Sequence, residues 1–204
     1  IALALLNYQQ EHNHFPPAVI GPDNVPPERQ FSWLVALLPY LERNDLYESL
    51  RLDLPWDHPH NLALLQGDFP LVLCPSDSTS PTTPEGYFRT SYVAVTGADF
   101  TDGLGGLEGV IGTDKGLSFD EIADGASNTL LVAEVSDGGP WFAGGTATAR
   151  RIDDWLENKV WGYHTGGGNA AFADGSVHFL SADIDVQTLR RLATARGLDP
   201  VTVD

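Results

Sequence analysis

His164 and Asp174 are separated by nine residues, with the glycine run Gly166-Gly167-Gly168 between them. An imidazole and a carboxylate could share acid–base work or a metal ion. The spacing argues otherwise. A strand over 169–173 spans about 16 Å and leaves Asp174 at its far end, so the two meet only if 165–168 folds back. Structural roles are simpler: Asp174 tolerates the positive φ of a hairpin turn before Gly175, and His164 anchors the glycine loop. The glycine run has no Lys-Ser/Thr after it, so it is no phosphate loop. Cys74, the single cysteine, ends the apolar run Leu71-Val72-Leu73-Cys74, has no histidine near it in sequence and reads as a small buried hydrophobe. No Gly-x-Ser-x-Gly elbow is present. The expectation is a protein that is not an enzyme, and a hydrolase built on His164 and an acid is the least supported reading.

Metal chemistry has two further candidates. Trp56-Asp57-His58-Pro59-His60 offers two imidazoles, with His12 and His14 elsewhere, whereas zinc wants three or four converging ligands. Asp99, Asp102, Asp114, Asp120 and Asp124 lie in glycine-rich stretches and could offer oxygens to Ca²⁺. No stretch matches an EF-hand loop, and a solvated acidic surface is the plainer reading. No cofactor is required, and Ca²⁺ is the one ion the composition favours.

The whole chain limits what these residues can serve. Its 204 residues suit one domain, 1–204. The net charge of −17 opposes nucleic acid, whose binding rests on Lys and Arg against phosphates, and opposes anionic membrane surfaces. One cysteine makes no intrachain disulfide, and no run of 18 apolar residues is long enough to span a bilayer.

The elements that must position these residues follow from periodicity. Residues 1–14 read as the end of a helix with Ile1, Leu5, Tyr8 and His12 on one stripe, stopped before Phe15-Pro16-Pro17. It begins without a cap and is expected to continue upstream. A second helical pattern runs over 32–50 with Ser32 as cap and a break at Pro39. Pro70–Cys74 reads as a buried strand and 136–158 as a long loop. Strands are expected at Tyr87–Val95, Asn128–Glu134, Asn169–Ala173 and Ser176–Leu180, the last two joined at Asp174-Gly175 as a type I′ hairpin. Asp185 caps a last helix that ends at Gly197. Helices first and strands later imply an α+β fold: an N-terminal helix, further helices, an antiparallel sheet with long loops, and a C-terminal helix.

Several stretches taken together resemble one bacterial family. They include Leu3–Tyr8 before Phe15-Pro16-Pro17, Ser32-Trp33-Leu34 through Leu38-Pro39-Tyr40, Leu73-Cys74-Pro75-Ser76-Asp77 and Thr90-Ser91-Tyr92. Asp124-Gly125-Ala126-Ser127-Asn128-Thr129, Glu134 and finally His164 with Asp174-Gly175 complete the series. The last pattern is similar to the H-x9-DG signature of planctomycetal prepilin-like proteins, a family of unknown function also filed under a bacterial solute-binding label. The resemblance implies a truncated pilin-like helix at residues 1–14. It also implies an extracytoplasmic head, membrane-anchored through the missing part of that helix. The partners implied are other pilin-like subunits or the machinery of a type II secretion or type IV pilus-like system. The alternative is an extracytoplasmic module that captures a solute or glycan on the loops of residues 97–160.

Overall fold

The computed structural model describes residues 1–100, 105–113, 115–158 and 161–197. Asp102 and Asp114, two of the calcium candidates, lie outside the described residues. The first helix, α1 (Ala2–His12), buries Ala4 and Leu5 and ends at Asn13 in the left-handed conformation (φ 62°). Phe15 follows into the core, its amide donating to the Leu117 carbonyl at 2.8 Å. Val19–Ile20 (β1) and Phe31–Ser32 (β2) form a small antiparallel pair.

The helical pattern over 32–50 is broken into pieces. Helix α2 covers only Trp33–Ala36, a 3-10 turn takes Leu38–Leu41, and α3 covers Asn44–Ser49. Pro39 sits inside the 3-10 turn, where it has no amide to donate and its ring would crowd the preceding helical turn. Ser32 does not cap α2 through its side chain; its hydroxyl donates to the Trp141 carbonyl at 2.6 Å. Helix α4 (Pro59–Leu65) is capped by His58, whose ring nitrogen accepts from the His60 amide.

The strand expected over Pro70–Cys74 is instead a 3-10 turn, Pro70–Val72. Proline at its first position presets the turn and removes the donor a ladder would need, and the Leu73 amide closes back on the Pro70 carbonyl.

The central sheet is built from β3 (Tyr92–Val95), β6 (Leu130–Glu134), β7 (Ala149–Arg150), β8 (Gly167–Phe172) and β9 (Val177–Ser181), in the order β7-β3-β6-β8-β9. A separate hairpin pairs β4 (Gly97–Phe100) with β5 (Gly105–Glu108). The fold is α+β. The sheet is antiparallel from β3 to β9, while β7 joins the β3 edge in parallel. That edge strand and helix α5 (Ile152–Asn158) fall in the region expected to be a long loop. Backbone bonds from Ala94 to Thr148 and from Thr96 to Arg150 hold it there. The last helix is α6 (Val186–Leu192), with Asp185 accepting from the Thr188 amide as expected of a cap.

Both faces of the sheet are covered. Ala94, Val132 and Ala173 join the larger core with α1 and α2. Val93, Ala133 and Phe172 join a second core with Ile152, Trp155 and Leu189 of α5 and α6. The β8–β9 hairpin turns through three residues. Gly175 alone takes positive φ (85°), and its amide donates to Phe172. Asp174 therefore does not supply the positive φ expected of it; its carboxylate accepts from the amide and hydroxyl of Ser176. A three-residue loop with glycine at the left-handed position replaces the type I′ turn.

Candidate functional site

Strand alternation puts Glu134, at the end of β6, on the same face of the sheet as Val132 and Tyr92, its cross-strand partner. That carboxylate is 0% exposed. Its Oε2 accepts from the backbone amide and the side-chain amide of Asn169, each at 3.0 Å. Its Oε1 has no hydrogen-bond partner. The 3-10 turn at Pro70–Val72 delivers Cys74 to the same place, held by its amide donating to the Ser91 hydroxyl at 2.9 Å. His164 arrives from the segment before β8. Its Nε2 lies 3.4 Å from Glu134 Oε1 and 3.6 Å from Cys74 Sγ. The first of these is an ion-pair distance without hydrogen-bond geometry, which is why Oε1 is still unsatisfied. Among the described residues, these three side chains are the one group of His, Cys, Asp and Glu whose ligand atoms all lie within 4.8 Å of one another.

Gly162 makes room for the group. A Cβ there would lie 2.5 Å from Glu134 Cδ and 2.9 Å from Oε1. The electrostatics are those of a buried anionic spot. Burial, then the Glu134 carboxylate, push the Cys74 thiol up from its ordinary value. Burial, then the charges of Cys74 and Glu134, push the Tyr92 phenol up to about 12. An activated cysteine needs the opposite environment, one that lowers its pKa. The same imidazole nitrogen faces both thiol and carboxylate, so Glu134 cannot orient His164 from behind as the third member of a nucleophilic triad does.

The residues singled out in the sequence are placed as follows. His164 belongs to this group, and Asp174 is bonded within its own hairpin turn. Asp99 pairs with Arg151 at 3.0 Å, Asp120 is exposed in the 3-10 turn Phe119–Glu121, and Asp124 is buried, accepting from the Gly197 amide at 2.5 Å. Burial raises the Asp124 carboxyl. No calcium candidate among the described residues shares a three-ligand group. His60 Nε2 lies 3.0 Å from the Ser49 carbonyl and Asp57 pairs with Arg29, so both are engaged outside any metal cluster. The sequence alone reads Cys74 as a small buried hydrophobe and gives Glu134 no role, because the histidine beside Cys74 stands 90 residues away. The available signal was that Cys74, Ser91, Tyr92, Glu134 and His164 all fall in the stretches that carry the family resemblance.

Beside this group opens a cleft of about 290 Å³, lined by Ile1, by Ala2 at the start of α1, by Leu71, and by Tyr92, Asn169 and Val177 of the sheet. Among the described residues no helix is long and apolar enough to cross a membrane.

Fold and site define an α+β chain with a five-stranded sheet and a Cys–Glu–His group gathered where β6 ends beside β8. The chain belongs to the family described as "Protein of unknown function (DUF1559)", which carries a solute-binding label and whose model matches residues 1–155 and 135–187. No curated protein and no solved structure matches it significantly.

Proposed function

We propose that the chain is the head of a non-enzymatic, pilin-like assembly subunit working outside the cytoplasm. One observation carries this reading. Helix α1 packs Ala4 and Leu5 into the core while its first turn opens onto an apolar surface: Leu3 is 71% exposed, and Ile1 and Ala2 face Leu71 and Val177 (59% exposed) across the cleft. Exposed apolar side chains gathered at one place mark contact surfaces. A subunit that packs against its own kind through an N-terminal helix needs such a surface there. The single His164 nitrogen shared between Cys74 and Glu134 supports a role without a nucleophilic triad.

The cleft supports a second reading, capture of a small solute. Its volume sits at the lower end of ligand pockets, and Asn169 and Tyr92 supply polar atoms beside apolar walls. One experiment separates the two. The gene product is overproduced in its host with Leu71→Asp and Val177→Asp, and solubilised envelopes are sedimented. Assembly predicts that wild type runs in large particles and the variant as a monomer of unchanged thermal midpoint. A monomeric wild type, with a midpoint raised by sugars or amino acids only when Leu71 and Val177 are intact, would favour solute capture and defeat the assembly reading.

A further inference from the structure

We propose that Cys74, Glu134 and His164 form a three-ligand site for a divalent transition metal of the zinc type, with its fourth position open to water or to a ligand from outside. Zinc bonds of about 2.3 Å to sulfur and 2.0–2.1 Å to nitrogen or oxygen, at tetrahedral angles, place sulfur and nitrogen about 3.6 Å apart and nitrogen and oxygen about 3.3 Å apart. The observed separations are 3.6 Å for Cys74 Sγ to His164 Nε2 and 3.4 Å for His164 Nε2 to Glu134 Oε1.

The bonding around the group has a gap that a cation fills. One imidazole nitrogen faces both a sulfur and a carboxylate oxygen and carries at most one proton, so it cannot donate to both. Glu134 Oε1 is fully buried and without a hydrogen bond, an arrangement that costs free energy unless something satisfies it. A divalent ion bonded to a thiolate and a carboxylate is neutral overall, which suits a buried position. The second layer is also in place. Asn169 fixes Oε2 with two hydrogen bonds and so aims Oε1 at the group, as outer-shell partners do in metal sites. His164 keeps 32% of its side chain exposed, which leaves an entry side. Thiolate and imidazole select zinc over calcium, so this site is separate from the calcium reading of the acidic loops.

The test is a titration of EDTA-treated protein with Co²⁺ alone, followed by Zn²⁺. The chain has one cysteine, so a thiolate-to-cobalt charge-transfer band reports on Cys74 and on nothing else. The expected result is one equivalent of Co²⁺ with that band and the visible spectrum of tetrahedral cobalt, both erased by one equivalent of Zn²⁺. Asn169→Ala should weaken binding about 10- to 100-fold, the usual effect of losing an outer-shell partner. Cys74→Ser should lose the band, while a His58→Ala/His60→Ala variant should keep it. Absence of the band in wild type would overturn the proposal, even if every variant failed to fold. So would a band unaffected by Zn²⁺, or a Zn²⁺ affinity unchanged in His164→Ala.

Discussion

Arg89 shows how much of this molecule depends on single buried charges. Its guanidinium is nearly buried, bonding to Asp77, Thr79 and Tyr163 and donating through Nε to the Ser80 carbonyl at 2.6 Å. Burial alone would raise the Asp77 carboxyl. The Thr79 hydroxyl and amide, then the Arg89 charge, outweigh it and hold the carboxyl below its ordinary value. A carboxylate depressed in the folded state adds stability that is fully present above its unfolded value, about 3.9, and lost as pH falls through the folded one. The wild type should therefore lose this increment only below about pH 4. Arg89→Met should cost about 3–5 kcal/mol at neutral pH by stranding Asp77, and should flatten the acid limb of the stability curve. Urea denaturation at pH 7 and pH 3 checks both. An equal loss at the two pH values would show that packing, not charge, is what Arg89 supplies.

At the scale of elements, two glycines rank the joints of the fold. Gly116 lies where the chain after α1 meets the middle of the sequence, and a Cβ there would fall 1.9 Å from the Phe15 carbonyl oxygen. Gly175, at φ 85°, would bring a Cβ to 2.5 Å from Leu6 Cδ1, the movable end of a side chain on α1. Gly175→Ala should cost about 1–2 kcal/mol, mostly for the left-handed backbone. Gly116→Ala must push backbone against backbone and should cost more. Thermal unfolding of the two variants, with Gly175→Ala the milder, checks the order. The elements legible in the sequence were those with local signals: α1 ending before Pro16, α6 between Asp185 and Gly197, and a hairpin at Asp174-Gly175. Those missed depend on distant partners. Strand β7 is two residues long and exists because Ala94 and Thr96 of another segment bond to it. Pro70–Cys74 has the apolar run of a strand, but among the described residues it forms no strand ladder: the Ser91 amide bonds only to the Val72 carbonyl, and Pro70 starts a 3-10 turn. The Cys74–Glu134–His164 group was hidden for the same reason: only the order of β3, β6 and β8 brings its three segments together.

At the scale of the molecule, charge and apolar surface divide the work. A net charge of −17 makes copies repel one another, so on the proposed reading association must rest on apolar side chains. The place where they gather is the end of α1 against Leu71 and Val177, beside the cleft and the Cys–Glu–His group. On this account assembly uses that end, and a metal at Cys74, Glu134 and His164 stiffens the base beneath it. The direct measurement is photo-crosslinking in the intact envelope, with a photoreactive side chain at position 177 and, as control, at exposed position 48 on α3. Position 177 should give products of two or more subunits, identified by mass spectrometry as this chain or, on the proposed reading, a pilin-like partner, and position 48 should give far fewer. Only uncrosslinked monomer at position 177, at native expression, would contradict the assembly role.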